Sequence, residues 1–180
     1  MENKKRLNIY QMHIIILLLI CAFFIVLLVN YQRKSDAMIR DKFHYNIRNF
    51  NLIMDDYEND INKTNDIYQE LDIIKKLGLR LDNSNYSLDY REFNNNFKKP
   101  ITPLVYYLLE INLETFEKND IYRNEVLNNL NEVYLISSEI LKMPINTFFE
   151  NNKFNIFNKI KPNDKLVDYF EQINSIVAAE

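Results

Sequence analysis

Polar and apolar positions divide the chain into two unlike parts. From Ile14 to Val29 no residue is polar, and apolar character reaches back to Ile9, interrupted only by Gln11 and His13. About 20 such residues in an α-helix cross a hydrocarbon core of about 30 Å. The run therefore predicts a transmembrane helix over 9–30, after a short basic tail over 1–8. Ile14, Leu18, Phe23 and Leu27 are its anchor residues. Tyr10 and Tyr31 flank it as interfacial aromatics, with Arg33 and Lys34 at one end and Lys4, Lys5 and Arg6 at the other.

A cleaved signal peptide is the competing reading of such a run. The apolar stretch is too long for one, and the small-residue pair Ser35 and Ala37 lies among Gln32, Arg33, Lys34 and Asp36, a poor cleavage region. Ile20 before Cys21 likewise argues against a lipidated cysteine, which leaves Cys21 as a small membrane-embedded side chain. Flanking charge alone, with Arg33, Lys34, Arg40, Lys42 and Arg48 against three basic residues in the tail, would hold the C-terminal part inside. Long domains translocate largely regardless of charge, and the short basic tail resists crossing. The expected orientation is N-terminus cytoplasmic, with the rest extracytoplasmic.

Beyond the membrane run, apolar positions recur at 43, 47, 50, 54, 57, 61, 64, 68 and 71, a 4,3 alternation that marks one helical face. Ile53, Ile67 and Ile74 widen it. With Phe43, Phe50, Tyr57 and Tyr68 included, the face suits a helix in a bundle better than the narrow Leu/Ile/Val seam of a dimeric coiled coil. A homodimer is the other use of the same stripe. Lys75, Lys76 and Leu77 before Gly78, the only glycine, predict a helix end there. One helix is thus expected over 31–77, continuing from the membrane.

Residues 79–102 read as a connector. Asp82, Asn83, Ser84 and Asn85 form a turn cluster, and Ser87 stands as cap of a short helix carrying Leu88 and Phe93. Thr102 and Pro103 have the cap and first-turn pattern of a helical arm over 103–142, with a break near Asn119 and Asp120, stopped by Pro144. Thr147 and Glu150 have capping-box spacing. A last helix over 164–178 follows Pro162 and Asn163. No segment alternates with period two. The expected fold is all-α: one N-terminal transmembrane helix continuing into a long helix of an antiparallel bundle of about four helices, occupying 31–180.

Composition narrows the function. One Cys excludes a disulfide framework or cysteine-rich zinc module, and one Gly excludes glycine-rich phosphate loops. The net charge is −3: residues 1–30 carry +2, 31–48 carry +3 and the remainder −8. That balance does not suit nucleic acid. It suits a basic collar near anionic headgroups and an acidic domain held off them.

Candidate chemistry is sparse. His13 lies in the membrane run. His44 has no His or Cys at ligand spacing and reads as an interfacial side chain beside Phe43, with a ligand or pH-sensing role as the rival. Asp55, Asp56, Glu58 and Asp60, with Asp66, Glu70 and Asp72 beyond, are a candidate cation site, but they spread around a helix and read as its solvated face. No metal, cofactor or catalytic residue is assigned. Phe148, Phe149, Phe154 and Phe157 are either core or an exposed docking patch.

The expectation is a bitopic membrane protein without enzymatic activity, acting as a scaffold or protein-interaction module at the membrane surface. Its partners would be the bilayer and another protein. Two alternatives are a ligand-binding sensory bundle signalling through a partner membrane protein, marked by a buried polar cavity, and an immunity-type accessory that neutralises a partner, marked by an exposed apolar patch.

Overall fold

The computed structural model describes residues 9–64, 66–87, 100–150 and 161–178. These are mostly helical, with no strand among them beyond an isolated bridge between Phe149 and Pro162. The helices are α1 (Ile9–Ile61), α2 (Ile67–Ser87), α3 (Thr102–Glu110), α4 (Leu113–Lys118), α5 (Asp120–Lys142) and α6 (Asp164–Val177). The chain divides into two compact units between Arg40 and Asp41.

In the first unit, α1 is apolar and bare. It is the one helix among the described residues long and apolar enough to cross a membrane, and none of its most apolar 18-residue window is buried. Ile14, Leu18, Phe23 and Leu27 are all exposed, as are Tyr10, Tyr31, Arg33 and Lys34. His13 Nδ1 lies 2.7 Å from the carbonyl oxygen of Ile9.

The second unit is built on the stripe. Phe43, Ile47, Phe50, Met54 and Tyr57 are buried. The buried stripe is interrupted there: Ile61 and Thr64 are half-buried and Tyr68 is exposed, and burial resumes at Leu71. The helix expected to run unbroken over 31–77 ends at Ile61, and the chain turns before Ile67. Local hydrogen bonding explains the break. Asp66 Oδ1 accepts from the Tyr68 amide at 3.0 Å, Thr64 Oγ1 accepts from the Asp66 amide at 3.3 Å and donates to Gln69 Oε1 at 2.7 Å. These polar groups satisfy the orphan amides that open a new helix.

α2 then folds back along α1. Arg80 pairs with Asp56 at 2.7 Å, and Asn49 Nδ2 donates to Ser84 Oγ at 3.4 Å, so position rises along one helix as it falls along the other. Gly78 is not a helix end. It lies inside α2, no described glycine has a positive φ, and a Cβ built on it would meet Leu108 Cβ of α3 at 3.3 Å. The glycine permits close approach of two helices. The turn expected at Asp82 to Asn85 is also helical, because Leu81 and Ser84 extend the buried row of Leu71, Ile74 and Leu77. Burial of that row outweighs the weak helix preference of Asn, Asp and Ser. Ser87, expected to cap a short helix, is instead the last residue of α2, and residues 88–99, with Leu88 and Phe93, lie outside the described residues.

The arm expected over 103–142 is three helices. Pro103 stands in the first turn of α3, where a missing N–H costs nothing, but Ile101 occupies the cap position expected for Thr102. Asn112 caps α4 by accepting from the Thr115 amide, and Asn119 caps α5 by accepting from the Ile121 and Tyr122 amides. Asn163 does the same for α6, accepting from Lys165. α2 packs on α3 and α4, α5 on α4 and α6, and α6 on α3. Phe50 of α1 meets Phe170 of α6 at 6.1 Å between ring centroids.

One polar link lies within this packing. Glu70, read from sequence as part of a solvated acidic face, is buried, and both its carboxylate oxygens accept from Arg123 of α5, at 2.6 and 2.8 Å. That bidentate bond, with the carboxylate of Asp120 nearby, holds the Arg123 pKa above its usual value.

Candidate functional site

The site follows from how α5 ends. Pro144 cannot continue the helix, so Met143 goes extended and Ile145–Thr147 form one 3₁₀ turn, closed by the Thr147 amide on the Pro144 carbonyl at 2.8 Å. The expected capping box at Thr147 and Glu150 starts no helix within the described residues. Thr147 Oγ1 instead donates to the Pro144 carbonyl at 2.7 Å, and the Glu150 amide donates to the Lys161 carbonyl at 3.1 Å.

This turn brings Phe148 and Phe149 onto α1. Both are only 4% exposed. Phe148 meets the His44 ring edge-on at 5.0 Å, and Phe149 meets Phe43 edge-on at 5.2 Å and stacks on His44 at 6.0 Å. The docking patch expected at Phe148 and Phe149 is thus core at these two residues, since aromatic packing on α1 removes them from solvent. Phe154 and Phe157 lie outside the described residues. His44 is half-buried among these rings.

Beside these rings lies a cavity of about 460 Å³ between α1 and the end of α5. α1 contributes an inner row of His44, Ile47 and Asn51 and an outer row of Tyr45, Arg48, Leu52 and Asp55; the opposite wall is Leu141, Met143, Ile145 and Phe148. Beside Arg48 and Asp55 the open rim carries exposed apolar side chains: Tyr45 is 72% exposed, Leu52 51%, Leu141 52% and Ile145 63%. The volume falls within the roughly 300–1,000 Å³ of ordinary ligand pockets.

Asn51 sets this cavity apart. The residue is 2% exposed, and neither its Nδ2 nor its Oδ1 has a hydrogen-bond partner among the described residues. Leaving a buried polar group unsatisfied costs about 1–3 kcal/mol, so the amide carries an unmet demand for one acceptor and one donor. Arg48 and Asp55 stand on either side of it along the same helix, and neither side chain has an ion pair or hydrogen bond among the described residues. The backbone carbonyl of Asp55 accepts from the Asn59 side-chain amide at 2.8 Å.

The acidic run gathers no metal site: among the described residues no three His, Cys, Asp or Glu side chains converge. Asp56 pairs with Arg80, and Glu58 accepts from Asn62 at 2.7 Å. Cys21 is a free thiol on the bare part of α1. Sequence reasoning reached His44 but passed over Asn51, whose one signal was a polar residue one step from the apolar position 50 on an otherwise buried face.

The site and fold therefore define a helical protein with one membrane-length apolar helix and an apolar groove carrying a buried amide. Comparison with family models, with curated proteins and with solved structures yields no match to the chain.

Proposed function

We propose that the protein is a single-pass membrane protein whose residues 41–180 form an antiparallel bundle of about four helices and act, without catalysis, as a protein-interaction module at the membrane surface. The observation that carries the reading is the open groove: Tyr45, Leu52, Leu141 and Ile145 keep an apolar rim in water beside an apolar cavity. A clustered apolar rim of this kind marks a contact surface. The bare apolar helix supports the anchor. Fully burying one Leu, Ile or Phe side chain is worth about 1.5–3 kcal/mol, so the exposed run from Ile14 to Val29 calls for hydrocarbon around it. The N-terminus is cytoplasmic and the bundle extracytoplasmic in this reading.

Two measurements test it. Glu117, exposed on α4, is replaced by Cys in a Cys21→Ser background and treated in intact cells with an impermeant thiol reagent. Labelling before lysis, on a membrane-bound chain that retains its N-terminal residues by mass, supports the assignment. Labelling only after lysis reverses the orientation, and loss of the N-terminal residues identifies a cleaved signal. A photo-crosslinker at Leu52 or Ile145 should then join a discrete second polypeptide, while one at exposed Ile121 should not. Equal adducts at all three positions, or none, would overturn the interaction reading.

A further inference from the structure

The outer row of α1 in the second unit mixes apolar and charged side chains in a fixed order. Tyr45 and Leu52, seven residues apart, are exposed. Arg48 and Asp55, also seven apart, carry opposite charges, and neither has an ion pair or side-chain hydrogen bond among the described residues. Seven residues make close to two turns, so each pair lies along one helix face, about 10.5 Å from end to end.

On that face the row is its own complement. Turned end for end about a point beside Leu52, it presents Asp55 where Arg48 stood and Arg48 where Asp55 stood. A second copy lying antiparallel closes two Arg48–Asp55 ion pairs, one on each side of a contact between the two Leu52 side chains. A parallel copy in register does the reverse, setting Arg48 against Arg48 and Asp55 against Asp55, and such like-charge contacts are costly. A two-fold contact of this kind joins the same patch on both copies and closes at two. Leu141 and Ile145, exposed across the same opening, extend its apolar part. The row from Phe43 to Tyr57 takes no part, because it is already core.

We propose that the face of α1 carrying Tyr45, Arg48, Leu52 and Asp55 binds the same face of a second copy of this chain, antiparallel, with Arg48 of each copy paired to Asp55 of the other. This rests on the interaction-module reading and names its partner. Nothing in the pairing requires both copies to share one bilayer.

The test uses the full-length chain in detergent micelles, where copies are free to meet in either direction. Energy transfer between chains labelled at Glu117→Cys, in a Cys21→Ser background, should rise to a plateau with chain concentration. Arg48→Asp alone and Asp55→Arg alone should each self-associate at least tenfold more weakly, because both ion pairs become like-charge contacts. An equimolar mixture of the two variants should recover the native affinity between unlike chains, since each supplies the charge the other needs. Both variants should melt as the native chain does, neither residue having a partner to lose among the described residues. Disulfide trapping fixes the direction: with Cys21 replaced by Ser, chains carrying Arg48→Cys and chains carrying Asp55→Cys should link to each other, and neither to its own kind.

Four results would overturn the proposal: no plateau for the native chain, a charge variant that self-associates as tightly as the native chain, a mixture no tighter than its components, or Arg48→Cys chains linked to one another. The last would make the pair parallel. Where a charge variant melts early, the disulfide pattern decides. Adducts at Leu52 and Ile145 to a different polypeptide, without self-association, would keep the interaction reading and reject the second copy.

Discussion

Removing Arg123 is the sharpest perturbation of the contact between α2 and α5. Its guanidinium holds both oxygens of Glu70, whose side chain is 8% exposed, while Arg123 itself is 21% exposed. In Arg123→Leu the carboxylate stays in the core with its partner gone. Breaking a fully buried pair costs about 3–5 kcal/mol. Arg123 keeps some contact with water, so the expected loss is at the low end, about 2–3 kcal/mol. For a chain of this size each kcal/mol moves the melting temperature by about 2–4 °C, which gives a fall of about 4–12 °C. The assay is thermal unfolding of the full-length protein in nanodiscs at neutral pH, followed by circular dichroism. Glu70→Leu combined with Arg123→Leu should recover most of the loss, because no charge is then stranded. A fall below about 2 °C in the single variant, or a double variant as unstable as the single one, would refute the view that α2 and α5 are joined by a desolvated ion pair.

Three further outcomes are expected. Gly78→Ala should be close to neutral, since about 1 kcal/mol of helix propensity is offset by the 3.3 Å approach to Leu108, whereas Gly78→Val should cost about 1–3 kcal/mol in denaturant unfolding. Asn119→Ala should cost about 0.5–2 kcal/mol, because its side chain accepts from both Ile121 and Tyr122 amides; the same unfolding curves read it. Burial, followed by the nearby carboxylates of Glu58 and Glu70, holds the Tyr57 phenol above its ordinary pKa of 10.0. The unfolded chain thus ionises first, so this residue's contribution to stability is unchanged below that value and falls as pH rises past it. Tyr57→Phe should shrink the drop in melting temperature between about pH 9 and pH 11, and an unchanged drop would show that the phenol is not desolvated.

How far the fold could be read in advance depends on the kind of signal. The apolar helix from Ile9 was plain, because sixteen consecutive non-polar residues leave no other helix or strand pattern to weigh. The buried face from Phe43 to Tyr57 was equally plain from its spacing. The end of α1 was not. Ile61, Thr64 and Tyr68 keep the 4,3 rhythm across a turn, so periodicity alone runs through it. Asp66 followed by Gln69 at capping-box spacing was the competing local signal, and hydrogen bonding there prevailed. Gly78 misled for a related reason: its usual role at helix ends is conformational, but here it is steric. Glu70 and Asn51 were illegible in principle. Nothing in one sequence tells a buried polar residue from a solvated one until the facing helix is known, and both gain their meaning from residues more than fifty positions away, Arg123 and the α5 wall.

The absence of any left-handed backbone among the described residues has a consequence for how such a chain can change over time. No turn there demands a glycine, and the connections rest on Asn, Asp and Thr side chains that neighbouring residue types can replace at modest cost. Selection then acts chiefly on which positions face inward and only weakly on which residue fills them. Descendants of this chain can drift apart in identity while keeping the same rows of buried side chains. Kinship with such a protein would be traced through the spacing of its core, and through a single small residue where α2 meets α3, sooner than through any string of letters.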